Sequence, residues 1–399
     1  MTTPLSRRRL LVLGGTTAAL AVTGVPVLAE PATSTPVIAW NRTLLRIVRT
    51  PGAHPATVHP TRSFAMMHSA VHDAVTATRS HAAAASQAAH DVLASLYPAM
   101  AADFAAQLAH ELATAHDPAP GVRAGKQAAQ QVLRARANDG STATPPAIPP
   151  GTEPGQYRPT PPGFAPAVFT HWPAVRPFML VRASVFRPGP YPDLRSARYA
   201  TAANEVALLG QDTSTARTAD QTVQAKFWAA PIWNYWNEIA QSTLATAATA
   251  RAARVYARLN LAFADAVIAF YDAKYHYRIW RPITAVRLAG TDGNPATTAN
   301  PAWNSLATTP ADPAYPGAHS VISQAGATIL RHELGTRQML SVTSEALPGT
   351  VRHFQTFQQV ADEAGESRIF AGVHSRLDHI SGQRIGLDVA RVVLTKVNR

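Results

Sequence analysis

The chain has 399 residues, with 36 Lys and Arg against 24 Asp and Glu for a formal net charge of +12, and no cysteine. The missing cysteines exclude a disulfide-stapled scaffold, a CxxC redox site and a thiolate metal site. At 46% hydrophobic and 15% charged, the composition suits a chain that buries a large core and argues against disorder.

The amino terminus reads as a targeting segment. Ser6-Arg7-Arg8-Arg9-Leu10-Leu11 sets a basic cluster before an apolar run from Leu10 to Val27 that closes on Val27-Leu28-Ala29, a small-residue cleavage pattern. Paired arginines followed by Leu-Leu have the twin-arginine form of a bacterial export signal, so residues 1–29 are expected to be removed and the rest to be secreted or extracytoplasmic. Cutting after Ala29 removes three arginines and no acid, leaving a net charge of about +9. No later stretch of about 20 residues is apolar enough to span a membrane. The remaining arginines are scattered and lack interleaved aromatics, which argues against a nucleic-acid groove and for a basic surface that favours anions.

Residues 30–399 read as one helical catalytic domain. In Arg62–Thr78 the spacing of Phe64, Met67, Val71 and Val75 predicts a helix, and alanine-rich stretches around Phe104-Leu108-Leu112 and Val122–Ala137 continue the pattern. Asp139-Gly140 ends the run. The segment at about 141–166 carries nine prolines and is predicted to be an irregular connection over the surface. Helices are then expected at Ser196–Leu209, Thr218–Trp228, Trp233–Ala250, Ala252–Trp280, His319–Leu334 with Gly335 as its cap, His353–Glu363 and His374–Val397. No run with β period is long enough for a sheet, so the fold class is all-α, two helical halves joined by the proline-rich connection.

Three segments of the second half carry chemistry. In Lys274-Tyr275-His276-Tyr277-Arg278-Ile279-Trp280-Arg281-Pro282, Lys274 and Arg281 are seven positions apart, two helical turns, which places both on one face with Pro282 ending the helix. Aligned cations need an anion among them; a solvated basic face would look the same. Tyr315-Pro316-Gly317-Ala318-His319-Ser320 is a turn into a helix, which aims free N–H groups at whatever lies before it and sets His319 in the first turn. In Ser367-Arg368-Ile369-Phe370-Ala371-Gly372-Val373-His374-Ser375-Arg376-Leu377-Asp378, the four-residue spacing lets Asp378 accept the His374 imidazole N–H and leave the other ring nitrogen free. His68, His72 and Asp73, and likewise His374, Asp378 and His379, also suggest zinc, but neither group supplies the three or four converging ligands zinc needs, and His68 lies on the stripe of Met67 and Val71.

Lys-x6-Arg-Pro, Pro-turn-His and Ser-Arg-x5-His-x3-Asp, in that order, resemble the three-part signature of the vanadium-dependent haloperoxidases and the type 2 phosphatidic acid phosphatases. Trp40-Asn41, Arg62–Ala74, Phe178, Arg187-Pro188-Gly189-Pro190, Phe227-Trp228 and Asp265–Arg287 look like the bacterial haloperoxidase branch. The resemblance implies two four-helix bundles and a vanadate cofactor, whose site phosphate can also occupy. It assigns Lys274, Arg281 and Arg368 to the equatorial oxygens, Gly317 and Ala318 to the oxyanion turn, His319 to acid–base work, and His374, supported by Asp378, to the bond to vanadium. Hydrogen peroxide, a halide and a small organic acceptor are the implied partners, with a homodimer left open. In the phosphatase alternative, His374 attacks phosphorus and His319 protonates the leaving group; a non-enzymatic oxyanion-binding relative is the third reading. The family usually has Pro-Ser-Gly-His where this chain has Pro316-Gly317-Ala318-His319, so one hydroxyl donor is missing. Such a donor can be worth about 2.7–4 kcal/mol where it acts in a transition state. Tyr271, Trp280, Asp312 and Tyr315 lie close enough in sequence to shape the approach of halide or substrate.

Overall fold

Helix-favouring periodicity becomes helix in most of the expected segments of a computed structural model that describes residues 35–397. The expected export segment lies outside those residues. The first half contains α1 (Pro36–Arg49), α2 (Pro60–Thr76), α3 (His81–Leu96), α4 (Ala101–Ala113) and α5 (Pro118–Arg136). Alanines on α3 and glycines on α5 let these two helices pack closely, with α2 across both. The second half contains α6 (Ala197–Leu209), α7 (Ala219–Phe227), α8 (Ile232–Thr243), α9 (Thr249–Tyr277), α10 (Pro282–Arg287), α11 (Ala318–Leu334), α12 (Phe357–Phe370) and α13 (Arg376–Lys396). Here α11 packs on α9, α12 and α13, and α9 also packs on α2, so α9 joins the two bundles. No helix among the described residues is long and apolar enough to cross a membrane.

Local details depart from the sequence reading. The helix expected over Trp233–Ala250 is interrupted after Thr243, and α9 starts at Thr249. The helix expected from His353 begins at Phe357, because Val351–Phe354 (β2) pairs antiparallel with Leu340–Thr343 (β1) in a small hairpin. Pro282 does not end a helix. It occupies the first position of α10, where its missing N–H costs nothing.

The proline-rich connection is anchored to the second half. Gln156 bridges to Ile279, Tyr157 N–H donates to Arg278 O at 2.6 Å, and Trp280 N–H donates to Gly155 O at 2.9 Å. Further on, Val168 N–H reaches Ala311 O at 2.9 Å. The fully buried Asp265 of α9 accepts the backbone N–H groups of Phe178, Met179 and Leu180 at 2.6–2.8 Å.

Candidate active site

The site is assembled mostly at helix ends. Lys274 lies in the last turn of α9 and is fully buried. Arg278 follows with a left-handed backbone (φ 49°) that stops the helix, so Arg281 reaches the site as the N-cap of α10. Lys274 and Arg281 therefore do not share a helix face; the chain turns between them and the two side chains converge on Asp312. Lys274 Nζ lies 3.3 Å from Asp312 Oδ2 and also donates to the carbonyls of Pro313 and, at 3.4 Å, Ala314. Arg281 pairs with Asp312 Oδ1 and donates from Nε to the Asp312 backbone oxygen at 2.7 Å. Burial lowers the Lys274 pKa to about 8, with Asp312 holding it from falling further. Burial pushes the Asp312 carboxyl up, but the charges of Lys274 and Arg281 outweigh it and hold the group below its ordinary range.

The third segment wraps back through the end of α12. The N–H groups of Val373 and His374 donate to Arg368 O at 3.1 and 3.2 Å, and Gly372 takes the positive φ (75°) this tight turn requires. His374 then precedes Ser375, the N-cap of α13, whose capping box uses Asp378. His374 Nε2 lies 3.2 Å from an Arg281 guanidinium nitrogen, and Nδ1 lies 3.3 Å from Asp378 Oδ2. A guanidinium only donates, so Nε2 accepts and the ring proton sits on Nδ1, facing the carboxylate. Burial and the charges of Arg281 and Lys274 keep the His374 pKa well below its ordinary value. Burial raises the Asp378 carboxyl pKa. Its Oδ2 accepts the Ser375 N–H at 2.7 Å, while Oδ1 is buried without a hydrogen-bond partner among the described residues.

The Pro316-Gly317-Ala318-His319 turn meets this segment directly. Gly317 N–H donates to Asp378 O at 2.9 Å. Its expected contribution to oxyanion binding is corrected accordingly: that donor is already committed, because α13 approaches too closely to leave it free. Gly382 and Gly386 permit the approach, since a Cβ at either would fall within 2.6 Å of a carbonyl oxygen of the turn or of α11. Ala318, His319 and Ser320 are the first three residues of α11, so their N–H groups have no partner within the helix. His319 Nε2 lies 2.9 Å from Trp228 O, so Nε2 carries the proton and Nδ1 is the basic nitrogen. Burial and the Arg368 charge keep this ring neutral as well. Arg368 is buried, its pKa lowered to about 10 by burial and by Arg281. Among the described residues its guanidinium has one long hydrogen bond, 3.4 Å to Trp228 O, and no carboxylate within ion-pair distance.

Of the six residues singled out from sequence, Lys274, Arg281, His374 and Asp378 are linked through Asp312 in one buried chain of contacts, and buried Arg368 meets half-buried His319 at the Trp228 carbonyl. Two members escaped the sequence reading in these roles: Asp312, whose Asp-Pro context carries no spacing signal, and the Trp228 carbonyl, which has no side-chain signature at all. Tyr315 and Leu377, next to the site in sequence, wall a separate surface cleft of about 540 Å³ that contains none of the six. In the other suggested metal group His68 is core, stacking on Tyr256 at 4.7 Å and bonding Asn41 at 3.1 Å, while Asp73 is exposed. His379 bonds Ser320 Oγ at 2.9 Å.

Residues 254–399 match the family described as the VCPO second helical-bundle domain. The vanadium chloroperoxidase of Curvularia inaequalis is 27% identical where it aligns, over 43% of this chain, and the match spans 38% of that relative's length. A bacterial vanadium-dependent iodoperoxidase superposes with a TM-score of 0.76 at 24% identity, over 92% of this chain and 98% of that one. Residues 254–399 thus carry the second helical-bundle domain of the vanadium chloroperoxidases, and the chain has the fold of the bacterial vanadium haloperoxidases. An apo-type bacterial vanadium-dependent chloroperoxidase shares the family fold with a TM-score of 0.70 at 16% identity, over 87% of this chain and 94% of that one. These matches place the family's second bundle on α9 to α13, the helices that carry the six residues.

Proposed function

We propose that the protein is an exported vanadate-dependent haloperoxidase that oxidises bromide or chloride with hydrogen peroxide to hypohalous acid for halogenation of small organic acceptors. The observation that carries this reading is the tautomer of His374. Asp378 accepts the hydrogen bond from Nδ1–H, and Nε2 is turned toward the buried Arg281 guanidinium, so a ligand held by the cations would meet a nitrogen lone pair. Export rests on the twin-arginine pattern at Arg7–Arg9.

In this reading Lys274, Arg281 and Arg368 hold the negative oxygens of vanadate, the Ala318 N–H adds a helix-terminus donor, and His374 Nε2 bonds the metal. Bound vanadate supplies a Lewis acid that makes peroxide oxygen electrophilic toward halide without changing its own oxidation state. Neutral His319, with Nδ1 basic, accepts a proton from incoming peroxide and returns it to the departing oxygen.

The test is an assay of purified protein with vanadate, hydrogen peroxide and bromide, following bromination of phenol red. Vanadate-dependent bromination supports the reading and its loss in His374→Ala locates it. Hydrolysis of a phosphate ester without halogenation would overturn it in favour of phosphohistidine chemistry, and inactivity in both assays would favour a binding protein.

A further inference from the structure

A pocket that has to hold an oxyanion already contains an anion. Asp312 is 5% exposed and takes both Lys274 and Arg281 as ion-pair partners, two of the three cations available to a ligand. The other groups that feel its charge are His59, Tyr157, Tyr271, Tyr275 and His374. None of them balances it: the tyrosines are neutral, the His59 pKa is lowered to about 3 by burial, and His374 is neutral for the reasons given above. By position alone, three buried cations, Lys274, Arg281 and Arg368, face the two carboxylates of Asp312 and Asp378, and Asp312 is the one paired with two of those cations.

We propose that Asp312 sets the charge of the oxyanion this pocket accepts, matching it to a singly charged tetrahedral anion and discriminating against doubly charged ones. The proposal rests on the oxyanion-site reading above and deepens it. Coulomb energy scales with the product of the charges, so adding one positive unit to the pocket stabilises a dianion twice as much as a monoanion at the same distance. Asp312 withholds that unit while keeping Lys274 and Arg281 in place.

The test measures binding of perrhenate (one charge) and sulfate (two charges) by calorimetry at pH 7 and constant ionic strength, so that neither probe changes protonation and no turnover is involved. For Asp312→Asn the expected result is a gain of about tenfold for perrhenate and about a hundredfold for sulfate, the second close to the square of the first. Asp312→Glu, which keeps the charge, is expected to retain the wild-type ratio of the two affinities. Asp312→Ser is a second neutral variant should Asp312→Asn fail to fold, with melting curves recorded for each. A purely structural role would weaken both anions together; equal changes for the two, or none, overturn the proposal while leaving the oxyanion site standing. Absence of stoichiometric binding of either anion to any variant overturns the oxyanion site itself, and the proposal with it.

Discussion

Each half of the molecule buries two cations around one aspartate, and only one of these clusters has the makings of the proposed site. In the first half Arg62 and Arg136 share Asp139 Oδ2 at 2.7 and 2.9 Å, and Asp139 Oδ1 accepts the Ser141 N–H. The spare guanidinium donors go to the carbonyls of Arg136, Arg176 and Pro177, and Arg136 lies 3.9 Å from the centre of the Phe178 ring. Both guanidinium groups there spend their hydrogen bonds on Asp139 and on main-chain carbonyls. The second cluster starts from the same composition, Lys274, Arg281 and Asp312, but stays open. Among the described residues Arg368 has no acid partner and Asp378 Oδ1 is unpaired, while His374 Nε2 faces the Arg281 guanidinium at 3.2 Å. A buried ion cluster thus becomes a binding site through the partners it withholds.

Substitutions can test that contrast, beginning with the largest effect. Asp139→Ala leaves two buried arginines uncompensated and is expected to cost about 3–5 kcal/mol of stability by chemical denaturation, with sulfate affinity at folded conditions unchanged. A parallel loss of sulfate binding would show that the two clusters are coupled. Asp378→Asn removes the carboxylate that fixes the His374 tautomer, and vanadate affinity should fall about 10–100-fold with little change in melting temperature; unchanged affinity would remove Asp378 from the site's machinery.

Smaller effects concern single donors. Lys274, with its pKa lowered to about 8, is protonated below that pH and neutral above it. Affinity for sulfate, whose own charge is fixed, should therefore be flat from about pH 6 to 7.5 and fall by up to about tenfold per unit above 8. Lys274→Arg should flatten the profile, and a wild-type profile flat to pH 9.5 would exclude Lys274 as a ligand. The smallest change restores the family's hydroxyl. In Gly317→Ser the new Cβ meets Asp378 O at 3.3 Å and Ser320 Oγ at 3.5 Å, contacts relieved by a shift of a few tenths of an ångström. A gain of about 1 kcal/mol, roughly fivefold in phosphate affinity, is expected from calorimetry; a loss would mean that the turn cannot yield.

The all-α class was legible because apolar periodicity reports burial, which helices express residue by residue. His319 and the His374–Asp378 pair were legible for a related reason: short spacings at helix starts translate directly into proximity. Lys274 and Arg281 do lie together, but not on one helix face as their spacing suggested, since nothing in that spacing announces the left-handed residue Arg278 that ends α9 between them. Asp312 and the Trp228 carbonyl enter the site through contacts 31 to 140 residues apart in the chain, where local pattern carries no information. The hairpin was missed because each strand spans four residues, too few for a period to show.

The pairing of residues 155–157 with 278–280 has a consequence for modularity. The matched C-terminal segment, excised at residue 254, would lose the backbone partners of Arg278 and Trp280 and strip Asp265 of its three amide donors. The smallest transplantable unit is therefore discontinuous: any chimera or circular permutant must carry residues 139–180 with the second bundle. Insertions belong upstream of Gly151, before the strap fastens to the catalytic half.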